Sequence, residues 1–129
     1  MSADIELLRR ATAAYNRGDL DSLRELYAPD ITADAGELWP AAGRVQGVER
    51  VLSEFASMFA TFERVEVVAD DYIERGGAIV VPSRWRGTVS GSDSVIEQPV
   101  VAVYRVRAGR VASIKYFDGL DAGLAAAES

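Results

Sequence analysis

Apolar side chains in the first half of the chain recur mostly at steps of three and four, and in the second half mostly at steps of two. The first spacing lays side chains along one stripe of a helix, and the second along one face of a strand. Residues 3 to 16 place Ile5, Leu8, Ala11, Thr12 and Tyr15 on a helical stripe. Ser2 caps that start, Asp4 suits the positive end of the helix dipole, and Gly18 is the stop. Asp19 caps a second, short helix with Leu20, Leu23, Leu26 and Tyr27 on its buried face, ended by Pro29. The strongest periodicity runs from Gly47 to Phe62, through Val48, Val51, Leu52, Phe55, Met58, Phe59 and Phe62.

The remaining segments predict strands. Residues 31 to 36 form a short one, and 63 to 74 begin with alternating Val65, Val67 and Ala69. Gly76-Gly77 is a hairpin turn into a strand over 78 to 89. Pro82 has no N–H for a ladder, so it predicts an edge or a bulge there. A loop at 90 to 93 leads to strands over 95 to 106 and 111 to 118, joined by a tight turn at Gly109. The order is helix, helix, strand, helix, then four antiparallel strands. Such a sheet must cover one face, and the three helices are there to do it. The expected fold is α+β, a curved antiparallel or mixed sheet wrapped around three N-terminal helices, with a cone-shaped cavity at one end. The 129 residues are the length of one domain, with a core from about 4 to 119 and an Ala-rich tail over 122 to 129 that is expected to fray.

Composition narrows the chemistry. Fourteen basic against twenty acidic residues give a net charge of −6, which disfavours nucleic acid as a partner. There is no Cys and no His, which excludes a thiol nucleophile, a thiolate metal site and a Ser-His-Asp triad. No cofactor or metal is expected. Asp70-Asp71 with Glu63 and Glu66 read as a solvated edge rather than a cation site. No apolar run is long enough to span a membrane and no signal peptide is visible, so the expected location is the cytoplasm.

The segment from Tyr15 to Asp30, with Asn16-Arg17-Gly18-Asp19-Leu20-Asp21 at its turn, resembles the opening of SnoaL-like members of the nuclear transport factor two superfamily. Gly43 to Gly47 before the third helix and the closing Gly109-Arg110-Val111 and Tyr116-Phe117-Asp118 resemble them too. The resemblance covers about residues 4 to 119. It implies the cone-shaped fold, an apolar ligand cavity and sheet-to-sheet homodimers. In ketosteroid-isomerase-like members a tyrosine and two aspartates do the chemistry, and the corresponding positions here are Ala11, Ala102 and Ala35. In limonene-epoxide-hydrolase-like members an Asp-Arg-Asp set does it, and those positions here are Ser83, Trp85 and Tyr116. Neither chemistry carries over. SnoaL-like polyketide cyclases are the nearest in overall pattern, and they imply one carboxylate acting as acid or base.

Strand parity from the same registration faces Val81, Ser83 and Trp85 inward on one strand. It faces Gln98, Val100, Ala102 and Tyr104 inward on the next, and Ile114, Tyr116 and Asp118 on the last. Asp118 beside Tyr116 and Trp85 is then the first catalytic candidate, because desolvation makes a carboxylate a better base near neutral pH. Asp34 is a second, although parity points it outward. Tyr15, Tyr72, Tyr104 and Tyr116 are hydrogen-bond donors toward a ligand oxygen, with Tyr116 best placed. Trp39, beside Glu37, belongs to a loop able to cover the cavity. Trp85, Phe55 and Phe59 shape its wall. The opposite sheet face carries Val80, Pro82, Val101, Val103 and Phe117, an apolar stripe that predicts a homodimer. Two functions remain open. One is a small carboxylate-dependent enzyme (a cyclase, isomerase, dehydratase or epoxide hydrolase) acting on a hydrophobic oxygenated molecule. The other is a non-catalytic module that binds an apolar ligand or partner.

Overall fold

The computed structural model describes residues 2–35 and 43–128. Helix α1 (Ala3–Arg17) starts at Ser2, whose side chain accepts from the backbone N–H of Asp4 and Ile5, and it ends at Gly18 with φ 69°. Helix α2 (Leu20–Leu26) starts at Asp19, which accepts from the N–H and the hydroxyl of Ser22. Helix α3 spans Val48–Thr61. The strands are β1 (Tyr27–Asp34), β2 (Arg44–Gln46), β3 (Phe62–Ala69), β4 (Ile73–Arg75), β5 (Ala78–Val89), β6 (Val95–Arg107) and β7 (Arg110–Phe117). A fourth helix, α4 (Leu120–Glu128), follows.

The sheet order is β2-β1-β7-β6-β5-β3, with β4 beside β5. The long β5–β6–β7 meander is antiparallel, and β1 joins β7 in parallel, so the sheet is mixed. The first strand begins four residues earlier than the periodicity predicts, because Tyr27 already pairs with Val111. The segment expected as one strand over 63 to 74 is two, β3 and β4. Pro82 explains the break. The β3 pairing stops at Ser83 and the β4 pairing starts at Val80, so the missing Pro82 N–H falls where no ladder partner exists. Its carbonyl, on the same side, accepts from Asp70 N–H at 2.8 Å.

Alternation along the meander divides the apolar residues between two cores. Ile79, Val81, Ala102 and Ile114 pack inward with Leu7, Leu8, Ala11, Leu23, Val51 and Leu52 from the helices. Val80, Val101 and Val103 point the other way and pack with Ala78, Ala127, Phe117 and Leu124. The expectation of a frayed tail is corrected here: residues 120–128 form α4, which lies on the outer face and buries Ala127 completely. The stripe that predicted a dimer through this face is therefore covered from within the chain. Among the described residues no helix is long and apolar enough to cross a membrane.

Gly123 is a close approach within this contact, since a Cβ there would lie 2.7 Å from Val101 Cγ1. Ordinarily a larger residue in mid-helix gains helix propensity over glycine. Here a Gly123→Leu variant is expected to lose about 1–3 kcal/mol by overpacking, measured by urea unfolding. An unchanged or raised stability would contradict the α4 docking.

Candidate small-molecule cavity

The inner face is longer than the helices that cover it, and the uncovered end is a cavity of about 350 Å³. Its sheet wall comes from Ser83, Trp85, Val100, Ala102, Tyr104 and Tyr116 on β5, β6 and β7, with Ala33 on β1 and Val67 on β3. The opposing wall comes from Ala11 and Tyr15 on α1, and from Val51, Glu54, Phe55, Ser57, Met58 and Thr61 on α3. Alternation explains the sheet wall: Ser83 and Trp85 face across to Val100 and Gln98, and Ala102 pairs with Tyr116.

Trp85 organises this wall. Gly87, two residues on and on the same face, leaves the space that the indole folds over; a Cβ there would lie 2.5 Å from Trp85 Cη2. Phe62 meets the indole edge-on, with centroids 5.1 Å apart. The indole N–H donates to Tyr15 Oη at 3.3 Å, and the Tyr15 hydroxyl donates to Met58 Sδ at 3.3 Å. Phe55 and Phe59 flank the Tyr15 ring, each with its centroid at 5.1 Å. Tyr15 is thus fixed by the protein on both sides, and burial raises its hydroxyl to a pKa of about 12 against the opposing pull of the Trp85 hydrogen bond.

Tyr27, Tyr104 and Tyr116 differ from Tyr15. None of their hydroxyls has a hydrogen-bond partner among the described residues. Among those residues no side-chain oxygen is both fully enclosed and unpartnered, so none of the three hydroxyls is sealed off, and all three side chains line the cavity. Burial pushes all three well above the usual phenol value, and the neighbouring phenols push in the same direction. At neutral pH they are O–H donors, not proton acceptors.

The sequence-predicted site residues separate into groups. Tyr15, Phe55, Ser83, Trp85, Val100, Tyr104 and Tyr116 come together on the cavity. Phe59 backs Tyr15 from the second layer, and Ile114 is buried in the main core rather than on the lining. Gln98 shares the inward face but lies half-buried beyond the lining. Trp39 and Glu37 lie outside the described residues. The inward placement expected for Asp118 is corrected: it is exposed, follows the last residue of β7, and is absent from the cavity wall. The strand ends before the alternation reaches it. Asp34 is half-buried at the end of β1, between Arg44 and Lys115 in register, and it too is off the wall. The acidic edge is solvated, with Asp70 paired to Arg84 at 2.9 Å. Tyr27 and Glu54 are the functional-type residues that the sequence reading missed. Glu54 sits one step from Phe55 on the α3 stripe, three residues after Val51 and four before Met58. That spacing marks it as a residue of the same helix face.

The chain matches the family model of the SnoaL-like domain over residues 8–114. It belongs to that family. An uncharacterised protein of Mycobacterium tuberculosis is 28% identical over 117 residues, covering 89% of this chain and 88% of its own. A nuclear-transport-factor-two-like protein of unknown function from Burkholderia pseudomallei shares the fold with a TM-score of 0.79 at 22% identity, covering 92% of each chain. A Jannaschia protein named as a candidate SnoaL-like polyketide cyclase shares it with a TM-score of 0.76 at 23% identity, over 98% of this chain and 92% of the other. The family positions read from the sequence lie on the wall of this SnoaL-like protein. Ala11, Ala35 and Ala102 line the cavity, as do Ser83, Trp85 and Tyr116, and none of the six carries a carboxylate.

The raised phenols fix a sign for the pH dependence. Below pH 10 the phenols are protonated in folded and unfolded chains alike. Between pH 10 and about 12 the unfolded chain ionises Tyr15 while the folded chain holds its proton. Stability is therefore expected to be independent of these groups at neutral pH and to fall as pH rises through that window. Tyr15→Phe is expected to lose about 1 kcal/mol at pH 7, by removing the hydrogen bonds of its hydroxyl with the Trp85 indole and Met58 Sδ, and to flatten the alkaline fall. Ultraviolet titration in parallel with unfolding checks both. Ionisation of Tyr15 near pH 10 in the folded chain would contradict the assigned burial.

Proposed function

We propose that this protein binds a small, apolar, oxygen-bearing molecule in the cavity, and that the hydroxyls of Tyr27, Tyr104 and Tyr116 orient it by donating hydrogen bonds to its oxygens. The observation that carries the reading is the pairing of an apolar wall with three phenol hydroxyls that have no hydrogen-bond partner among the described residues. A hydroxyl on an apolar wall gains from a partner inside the cavity, and a ligand oxygen supplies one. The volume is at the low end for small-ligand pockets and suits a body of about two fused rings.

Acid/base turnover has less support in this chain. Asp118 and Asp34 are off the wall, and its phenols are held neutral. A cyclase-type reaction is the second reading. Family membership and the Jannaschia protein support it, and Glu54, the one carboxylate on the described wall, is its acid/base candidate.

A matched pair of ligands tests the first reading. 1-Tetralone is expected to bind more tightly than its hydrocarbon counterpart tetralin by about fivefold, the worth of one net hydrogen bond. A variant with Tyr27, Tyr104 and Tyr116 all changed to Phe is expected to bind the two alike. Ala102→Leu, which fills the space, is expected to remove both affinities while the circular dichroism spectrum is kept. Calorimetric titration gives the constants, and mass spectrometry of the recovered ketone separates binding from conversion. Equal affinity for the two ligands in the unaltered protein would contradict the orienting role of the phenols.

A further inference from the structure

The charge on the described cavity wall is of one sign. No Lys or Arg lines it among the described residues, and the only ionisable group besides the phenols is the Glu54 carboxylate. Glu54 is exposed, as are Ser57 and Thr61, its neighbours on the same face of α3. These three are where the wall meets solvent, so they mark the mouth. Glu54 has neither an ion-pair nor a hydrogen-bond partner among the described residues. Arg50, one helical turn earlier, makes no ion pair with it. By contrast, Asp19, Glu49, Asp70 and Glu97 are each held by an arginine.

We propose that the cavity selects its ligand by charge, taking an aromatic body whose outer end carries a cationic amine and rejecting the carboxylate of the same skeleton. The proposal rests on the reading of the cavity as a small-molecule site and adds the charge class of the ligand. With the body inside, a substituent at the outer end lies at the α3 mouth. There an ammonium meets the Glu54 carboxylate, and a carboxylate meets repulsion with no Lys or Arg on the described wall to relieve it. The aromatic wall acts in the same direction, because the faces of Tyr, Trp and Phe rings are electron-rich and attract cations. The net charge of −6 also raises the local concentration of cations over anions.

Three ligands of one skeleton test it at pH 7 and low salt: 2-naphthylmethylamine, 2-naphthalenemethanol and 2-naphthoate. Calorimetric titration is expected to show the amine binding about threefold more tightly than the alcohol, the scale of a partly solvated ion pair. The naphthoate is expected to bind more weakly than the alcohol by at least a similar factor. Glu54→Gln is expected to erase the amine's advantage, so that the ratio of amine to alcohol affinity falls to about one while the alcohol still binds. Glu54→Lys is expected to reverse the order, so that naphthoate binds more tightly than the amine. Each variant alters one exposed side chain, and its alcohol affinity reports whether the cavity is intact. If the alcohol binds but the amine gains nothing over it, or keeps its gain in Glu54→Gln, the charge selection is overturned and the cavity reading stands. If none of the three binds, the cavity reading fails and the charge selection fails with it.

Discussion

The odd–even alternation of β6 sends Val100, Ala102 and Tyr104 toward α1 and α3, and Val101 and Val103 toward α4. Neither set can reach water without exposing apolar surface at a cost of about 25 cal/mol per Å². The sheet must therefore be covered on both sides along this strand. On the outer side α4 is enough, with Gly123 allowing it to approach Val101 closely. On the inner side α1, α2 and α3 cover one end and stop short at the other. The cavity is the part of the inner face that the helices leave uncovered, and the same alternation that builds the core decides what its wall is made of.

That wall is unusual in what its polar atoms can do. Tyr15, the indole of Trp85 and Met58 satisfy one another, so one phenol serves the structure. Three others line the cavity without a hydrogen-bond partner among the described residues, and burial raises their pKa values above the usual phenol value. A phenol that keeps its proton can donate a hydrogen bond, which suits the positioning of a ligand oxygen better than the removal of a proton. The absence of acidic side chains from the six family positions on the wall points the same way. Glu54, the one carboxylate on the described wall, is exposed to solvent.

Much of this was legible in the residues. The helical stripes of α1 and α3, the hairpins at Gly77 and Gly109 and the parity of β5, β6 and β7 all follow from spacing, because side-chain direction in those elements is a matter of period. Parity failed at Asp118 because alternation holds only while the strand lasts, and β7 ends at Phe117. The tail was misread because Ala-rich sequence without large apolar groups looks unable to dock. Its small residues are what let α4 lie flat on Val80 and Val101. Tyr27 was assigned to a helix because Leu20, Leu23 and Leu26 continue a helical spacing into it, while its pairing with Val111 is a long-range contact that no local pattern carries. The fold Gly87 leaves for the Trp85 indole is of the same kind.

The central claim is that the cavity is open and that its free phenols face whatever occupies it. A crystal structure of the protein with 1-tetralone is the most direct measurement. The account requires the ketone between α3 and the β5–β6–β7 wall, with its oxygen within about 3 Å of a Tyr27, Tyr104 or Tyr116 hydroxyl. A cavity closed by its own side chains, or a ketone bound with its oxygen turned away from all three, would contradict it.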